Sequence, residues 1–271
     1  MLIWKNTATL DGYDKGLQFT PSKNNADIAL LGSKSIDLTE FPNLKGIFRA
    51  GIGRNNVPEK EAKEKNIIVR YPSKKTINII FEETACFTCS LIFRMLYANV
   101  GTLDPWVKEP RQQFLQKTLL IIGTGRIGSR VAELMKNFMH VTTFDILENE
   151  DPELRSLMQK ADCITIHIPQ SDNNISFING EKLSWMKNDA VLINTSRGTI
   201  VNEDALYKEL ENGRIKAAFD VYWQEPYQGK LINYYPDYFY MTPHIASTCS
   251  GFLEGCRKDI KKLILILNKQ I

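Results

Sequence analysis

Two α/β lobes, each built on a sheet of parallel strands, are what this sequence predicts, and three observations carry the prediction. The chain has 271 residues, and at roughly 150 residues per domain that is enough for two cores. From Lys117 onward short apolar runs alternate with amphipathic stretches, the pattern of βαβ units around a parallel sheet. Where the first of those runs meets the first of those stretches stands a glycine cluster, Gly123-Thr124-Gly125-Arg126-Ile127-Gly128.

Composition narrows the function classes. Hydrophobic residues at 43% and charged residues at 24% are ordinary for a folded globular protein and exclude a disordered or fibrous chain. The net charge of +3, from 34 Lys and Arg against 31 Asp and Glu spread along the chain, leaves no basic footprint for a nucleic-acid partner. Five cysteines, an odd number in a chain this long, form no disulfide framework and fit a reducing, cytoplasmic compartment. The N-terminus lacks a basic segment followed by an apolar run, and no stretch approaches the ~18 apolar residues of a membrane span. Neither secretion nor a membrane partner is expected.

In the first half, Ile28–Leu31 and Gly46–Arg49 read as strands of a separate, smaller sheet, and Glu59–Lys65 as a short charged helix. Glu82–Leu96 is a long apolar-rich helix, and the segment from Gly101 to Pro110 reads as a connector between lobes, which places the boundary near Val100. Thr118–Ile122 is continuously apolar and β-rich, as a strand buried on both faces must be. Ile127, Val131, Leu134, Met135 and Phe138 then recur at helical spacing. Val141–Asp145, Cys163–Ile168, Ala190–Asn194 and Ala217–Val221 are further strands. Asn202 caps a helix carrying Leu206 and Leu210, with Gly213 placed for a left-handed C-terminal cap. Ile260–Leu267 is an apolar helix that crosses back to the first lobe. The predicted domains are 1–99, completed by 247–271, and 100–246.

The glycine cluster has the G-x-G-x-x-G spacing, follows a buried strand, opens a helix and is followed about 20 residues on by Asp145 at a strand end. In that context it reads as a dinucleotide-binding turn of a Rossmann-type, doubly wound sheet. Gly123 permits the tight turn, Gly125 lets a pyrophosphate approach the backbone, and Gly128 lets helix and strand pack closely. The helix N-terminus supplies N–H groups and partial positive charge. Asp145 can accept both ribose hydroxyls and repels a 2′-phosphate, which favours NAD over NADP. A plain glycine turn and a turn-capping aspartate are the bland alternatives.

Three later segments lie at or just beyond strand ends, where ligands bind in open α/β sheets: Asn194 to Gly198, Asp220 to Pro226, and Thr242 to Ala246. Arg197, Glu225 and His244 among them can form a catalytic set. A guanidinium grips a carboxylate bidentately, a histidine exchanges a proton near neutral pH, and a carboxylate orients that histidine. Taken singly, each has a structural reading as a surface ion pair, a helix boundary or a packing residue. Cys86 and Cys89 fall inside an apolar helix without a second pair, and no metal site is expected. His140 has no ligand partner at useful spacing. Trp4, Trp106, Trp185 and Trp223 read as packing residues.

Together these motifs resemble the D-isomer-specific 2-hydroxyacid dehydrogenases. The resemblance runs through the glycine fingerprint, Asp145, His167-Ile168-Pro169, Asn194 to Gly198, Asp220 to Pro226 and Thr242 to Ala246, in the family's order. It implies that Arg197 binds the substrate carboxylate and polarises its 2-oxo group, that His244 is the acid/base, and that Glu225 is its partner. Asp220 would meet the nicotinamide carboxamide, and Arg126, Ile127, His167, Ile168, Pro169, Thr195 and His244 would complete the cofactor contacts. It further implies a smaller flavodoxin-like α/β substrate domain, a substrate cleft between the lobes and a homodimer. The run from Arg49 to Pro58, with Gly51, Ile52 and Gly53 at its centre, looks like the family's substrate-carboxylate loop, and its Asn55-Asn56-Val57-Pro58 ending resembles some phosphoglycerate dehydrogenases. Where the family usually has an Asn-Ala pair, this chain has Thr76-Ile77-Asn78-Ile79-Ile80.

The function expected is an NAD-dependent oxidoreductase moving a hydride to or from C2 of a small 2-oxo or D-2-hydroxy acid. A D-3-phosphoglycerate dehydrogenase is an alternative, one without a regulatory domain since the sequence ends at Ile271. A non-catalytic NAD-sensing protein on the same scaffold and a Rossmann-type methyltransferase are alternatives from other classes. The order of Arg197, Glu225 and His244 argues against both.

Overall fold

A strand covered on both faces must be largely apolar, and that pattern accounts for the central strands in the computed structural model of the chain, which describes residues 1–148 and 150–269. The chain divides into two units, Met1–Ile80 with Ser247–Ile271, and Phe81–Ala246. Its helices are α1 (Glu59–Glu64), α2 (Lys74–Leu96), α3 (Gly128–Met135), α4 (Asp151–Met158), α5 (Gly180–Ser184), α6 (Glu203–Glu211) and α7 (Ser250–Asn268).

In the first unit β1 (Leu2–Lys5), β2 (Gln18–Phe19), β3 (Ile28–Leu31), β4 (Gly46–Arg49) and β5 (Ile68–Arg70) form a parallel sheet in the order β2-β1-β3-β4-β5, the flavodoxin-like order. All four side chains of β3 are buried. One face packs under α7, whose buried Phe252, Leu253, Cys256, Ile260, Leu263 and Leu267 recur at helical spacing. Gly46 on β4 permits the close approach, since a Cβ there would meet Leu267 at 3.0 Å and Leu263 at 3.3 Å. The other face holds Ala29, Leu31 and Ile47 against Ala62 of α1. Asp259 of α7 accepts the Ser73 N–H and the Thr76 hydroxyl, each at 2.8 Å, and so caps the start of α2.

The second unit opens with a small antiparallel pair, β6 (Gly101–Thr102) and β7 (Val107–Lys108). Six parallel strands follow: β8 (Thr118–Ile122), β9 (His140–Phe144), β10 (Cys163–Ile166), β11 (Val191–Asn194), β12 (Lys216–Phe219) and β13 (Phe239–Met241), in the order β13-β12-β11-β10-β8-β9. Helices cover both faces. Leu119, Ile121, Cys163, Val191 and Ile193 pack against α2 and α3 on one side, and Leu120, Ile122, Ile164, Ile166 and Leu192 pack against α4, α5 and α6 on the other. The alternation is the period-2 pleat of the strands. Register places Phe144, Ile122, Ile166, Asn194, Phe219 and Met241 in one row across the sheet. The residues one step further, Asp145, Gly123, His167, Thr195, Asp220 and Thr242, therefore form a second row along the C-terminal edge.

Four sequence expectations need correction. The division falls at Ile80/Phe81 inside α2 rather than near Val100, because Ala85, Cys89, Leu91, Ile92 and Met95 are committed to the second core. α2 itself starts at Lys74 rather than Glu82. Gly101–Pro110 is no connector, since it holds the β6–β7 pair within the second unit. Trp106 is 74% exposed rather than packed. The strands β1, β2, β5, β6 and β7 were not anticipated, and β13 was anticipated only as a strand end before Thr242. Of the residues assigned to the first lobe, Gln270 and Ile271 lie outside the described residues.

Leu263, 1% exposed, sits between α7 and β4, so Leu263→Ala is expected to destabilise the protein by about 2–5 kcal/mol through lost transfer energy and a residual cavity. Urea unfolding checks this, with a loss under about 1 kcal/mol counting against α7 as a core element of the first unit.

Candidate active site

Beyond β8 the chain turns at Gly123, whose φ of +96° is left-handed. A Cβ there would come within 2.8 Å of the His167 carbonyl, so the glycine lets the segment after β10 lie against the loop. At Gly128 a Cβ would run into the Gly123 carbonyl oxygen, and only glycine brings α3 this close. Gly125 differs from both. It is exposed, and a Cβ on it meets nothing within 4 Å. The open space over Gly125, beside the first turn of α3, is the cradle a pyrophosphate requires. β8 and β10 flank the point where the strand order reverses, where open α/β sheets bind ligands.

At the end of β9, Asp145 Oδ2 accepts the Thr124 N–H at 3.0 Å and the Thr124 hydroxyl at 2.6 Å, while Oδ1 accepts the Leu147 N–H at 3.1 Å. These bonds, the Thr124 hydroxyl foremost, outweigh burial and hold the carboxyl below the usual range. Asp145 therefore braces the glycine loop and stays ionised, the state a ribose diol needs and a 2′-phosphate is repelled by. Arg126 lies over the Phe81 ring, 5.2 Å from its centroid, and Ile127 precedes the first turn of α3.

His167 Nε2 is 3.0 Å from the Thr165 hydroxyl, and burial lowers the ring's pKa to about 3. The imidazole is neutral at physiological pH. Ile168 is buried, and the Pro169 carbonyl accepts the Asn174 amide at 2.8 Å. The Thr195 hydroxyl lies 2.8 Å from that of Thr88, which itself donates to the Thr84 carbonyl at 2.8 Å. Thr195 is thus tied inward to α2 through its side chain.

Arg197 owes its placement to Asn194, fully buried at the end of β11. The Asn194 side chain accepts the Ser196 N–H and donates to the Arg197 carbonyl, both at 2.9 Å, an Asx-type turn. Gly198 seats the turn, since a Cβ there would run into the backbone of Tyr222 and Trp223. The guanidinium, half-buried, donates to the Ser196 carbonyl at 2.6 Å. Burial lowers its pKa, and the charge of Glu225 works the other way.

Glu225 and His244 form the central pair. His244 Nδ1 lies 2.9 Å from Glu225 Oε1 and 2.8 Å from Oε2. Burial pushes the Glu225 pKa up, but the hydrogen bond and charge of His244, then the Tyr222 N–H and the Arg197 charge, outweigh it and hold the carboxyl below its ordinary value. His244 has a φ of +52°, a backbone state uncommon outside glycine. The fully buried Asp220 holds that loop: Oδ1 accepts the Thr242 hydroxyl at 2.6 Å and the Ile245 N–H at 2.8 Å, and Oδ2 accepts the Ala246 N–H at 2.9 Å. Burial raises the Asp220 pKa against the pull of these bonds.

In the first unit Gly51 has a φ of +143°, and a Cβ on it would run into the Arg49 guanidinium. That guanidinium bonds the Ala50 carbonyl, and Arg49 Nε donates to the Asn56 side chain at 3.3 Å. Asn56 donates in turn to the Gly32 and Lys34 carbonyls at 2.8 and 3.0 Å. Arg49 and Asn56 therefore brace the turn, and Ile52 on it is exposed. All five cysteines are free, and among the described residues no cluster of His, Cys, Asp and Glu is arranged to hold a metal ion.

The structure thus gathers the second-unit candidates along one sheet edge and keeps Gly51, Ile52 and Gly53 on a turn of the first unit. Sequence reading gave no role to Thr124, Asn194, Tyr222 or Thr242. An asparagine ending a strand before Thr-Ser-Arg-Gly is a legible Asx signal. The other three act across the sheet, where no local spacing reports them.

A family model described as D-isomer specific 2-hydroxyacid dehydrogenase, NAD binding domain, matches residues 101–246. The chain belongs to the D-isomer-specific 2-hydroxyacid dehydrogenase family. NAD is accordingly the cofactor of its second unit, and the open cradle over Gly125 with the ionised Asp145 beside it fits that group. Among curated relatives, a glyoxylate reductase of Korarchaeum cryptofilum is 32% identical over 208 residues, 68% of this chain and 61% of the relative. A hydroxypyruvate reductase of Thermotoga maritima is 32% identical over 221 residues, 76% of this chain and 72% of the relative. The match thus spans under two thirds of the first relative's length. Among solved structures, the D-lactate dehydrogenase of Aquifex aeolicus, complexed with NAD and lactic acid, shares the fold at a TM-score of 0.77 and 24% identity, covering 100% of this chain and 96% of that one.

Two glycine substitutions separate packing from ligand space. Gly128→Ala is expected to lower the unfolding midpoint, whereas Gly125→Ala should leave it unchanged and weaken NAD binding about tenfold or more, by filling the space a pyrophosphate needs. Thermal unfolding and NADH titration check both, and intact NAD binding in Gly125→Ala would remove the cradle.

His167 gives a pH prediction. Its folded pKa of about 3 lies below the ~6.5 of an unfolded histidine, so between those values the unfolded chain binds a proton that the folded chain refuses. Stability should fall as pH drops from about 6.5 toward 3. In His167→Gln that part of the slope should vanish in urea unfolding series; an unchanged slope would mean that His167 is not the group responsible.

Proposed function

We propose that this chain interconverts a small 2-oxo acid and the corresponding D-2-hydroxy acid with NAD. The observation that carries the reading is the Glu225–His244 pair at 2.8 Å, standing on the same sheet edge as the glycine loop, with Arg197 close enough to Glu225 for the two charges to interact. When bound, NAD supplies or accepts the hydride. Gly123, Gly125, Arg126, Ile127, Gly128 and Asp145 would hold its pyrophosphate and adenosine end. His167, Ile168, Pro169, Thr195, Asp220 and His244 would border the rest.

The chain's own residues handle the proton and the anion. Glu225 engages His244 Nδ1 and fixes the tautomer, which leaves Nε2 to give a proton to the carbonyl oxygen in reduction and to take it back from the hydroxyl in oxidation. Arg197, charged and half-buried, grips the substrate carboxylate and polarises the 2-oxo group. The turn at Gly51, Ile52 and Gly53 is proposed, from the family resemblance, to donate backbone N–H groups to a substrate carboxylate. The relatives' names, glyoxylate reductase and hydroxypyruvate reductase, support a short unbranched acid. A non-catalytic NAD sensor has no use for the Arg197, Glu225 and His244 set.

We further propose a cytoplasmic homodimer. Five free thiols fit a reducing compartment, and no helix among the described residues is long and apolar enough to cross a membrane. Leu103, Trp106 and Leu115 present exposed apolar surface on and after the β6–β7 pair, which a second copy would cover. Light scattering decides the oligomeric state.

The functional test is NADH oxidation with glyoxylate, hydroxypyruvate, pyruvate and 3-phosphohydroxypyruvate in parallel. Turnover of at least one is expected, and Arg197→Lys should lose about 10²-fold or more, because an ammonium cannot reproduce the bidentate fork. NADH binding without turnover of any 2-oxo acid would favour the sensor.

A further inference from the structure

Tyr222 stands between the three segments that carry Arg197, Glu225 and His244, and the functional reading gives it nothing to do. Its backbone N–H donates to Glu225 Oε1 at 3.3 Å. Its phenol oxygen accepts the Thr242 N–H at 3.0 Å and lies 2.8 Å from both the Thr242 and the Phe219 carbonyls. The Thr242 carbonyl also accepts the His244 N–H at 3.0 Å, closing the tight turn through Pro243 that sets His244 at a φ of +52°. The hydroxyl of Tyr222 therefore bonds the same carbonyl oxygen that fixes the His244 backbone. On its other side the Tyr222 backbone is packed so closely on Gly198 that no side chain fits there, which joins it to the Arg197 turn. The ring stacks on Tyr227 at 5.1 Å, whose own hydroxyl goes instead to Glu203 at 2.6 Å.

We propose that Tyr222 is a positioning residue for the reaction, its phenol holding the Thr242–His244 turn and its backbone the Glu225 carboxylate, so that His244 Nε2 is presented in a fixed direction. The proposal rests on the reading of His244 as the acid/base. Asp220 engages the chain on both sides of His244, through the Thr242 side chain and the Ile245 and Ala246 N–H groups, whereas Tyr222 holds the Thr242 backbone, whose carbonyl accepts the His244 N–H. With the Thr242 backbone released from the phenol, the His244 turn has freedom to shift, and a displacement of that kind lowers the rate of proton transfer without changing what binds.

Tyr222→Phe removes one oxygen and keeps the ring, its stacking and the backbone. With the best 2-oxo acid, kcat should fall roughly 3- to 10-fold, as expected for loss of the phenol's neutral hydrogen bonds in a positioning role. KM, NADH affinity and the unfolding midpoint should stay within about twofold or a few degrees of the parent. Backbone amide exchange in the 242–246 segment, read by mass spectrometry, should quicken several-fold. Tyr227→Phe, which loses the bonds to Glu203 and to the Leu231 N–H, neither of them on the 242–246 segment, serves as the control and should leave kcat and that exchange unchanged. Wild-type kcat and exchange in Tyr222→Phe would overturn the proposal, as would losses shared equally by Tyr227→Phe. Should the wild-type protein reduce no 2-oxo acid, the functional reading falls on that result alone, while the exchange comparison still decides whether Tyr222 holds the His244 turn.

Discussion

A carboxylate taken wholly out of water must find donors for its oxygens or stay protonated, and Asp220 meets that requirement with the Thr242 hydroxyl and the N–H groups of Ile245 and Ala246. These donors lie on the segment that follows β13, so the segment has to fold over the end of β12. His244 lies between the donors, and its left-handed backbone follows from satisfying them on both sides. The Glu225–His244 pair is made from this loop, with His244 Nδ1 2.8 Å from Glu225 Oε2. The resemblance assigned Asp220 to the cofactor's carboxamide; the structure shows that its oxygens are first of all engaged by the chain itself.

The two sheets solve one problem in the same way. The first runs β2-β1-β3-β4-β5 and the second, taken from its β9 end, repeats that order with one strand more. Parallel strands carry their loops to one end, and the chemistry gathers there. In the second unit this is the row from Asp145 to Thr242. In the first it is the end of β4, where Arg49 is followed by the Gly51 turn, and Asn56 ties that turn to the carbonyls after β3. Glycine is used there for separate purposes: Gly123 and Gly128 admit neighbouring backbone, whereas Gly125 leaves its space open.

Much of this was legible in the residues. Thr118–Ile122, the glycine spacing and Asp145 were readable because a strand buried on both faces, a turn needing positive φ and a strand-end acid each leave a local mark. Arg197, Glu225 and His244 were readable as positions at strand ends that can form a set, while the pairing of Glu225 with His244 came from the family resemblance, since their association depends on which strands lie side by side. The unit boundary was hidden for a physical reason. α2 passes from one core to the other without a break, and a helix that changes the core it packs against has the same apolar periodicity throughout. β2 and β13 are two and three residues long, too short for alternation to show. Trp106 illustrates the converse, since composition counts an exposed aromatic as core material. Tyr222 sits inside a motif that was read for its ends, Asp220 and Glu225, and its hydroxyl acts on a residue 20 positions away.

The first unit is assembled from both ends of the chain, and this has a bearing on its biosynthesis. Residues 81–246 leave the ribosome as one continuous stretch and hold every strand of the six-stranded sheet, so this unit can complete its core during translation. The N-terminal sheet emerges earlier but must wait for α7, with Ile3, Ile28, Leu30 and Phe48 lacking the helix that buries them. The sheet translated earlier is thus completed after the one translated later, and until α7 emerges it carries an uncovered apolar face. A stop codon just before Ser250 would leave that face uncovered permanently, since Phe252, Leu253, Cys256, Ile260, Leu263 and Leu267 would all be missing.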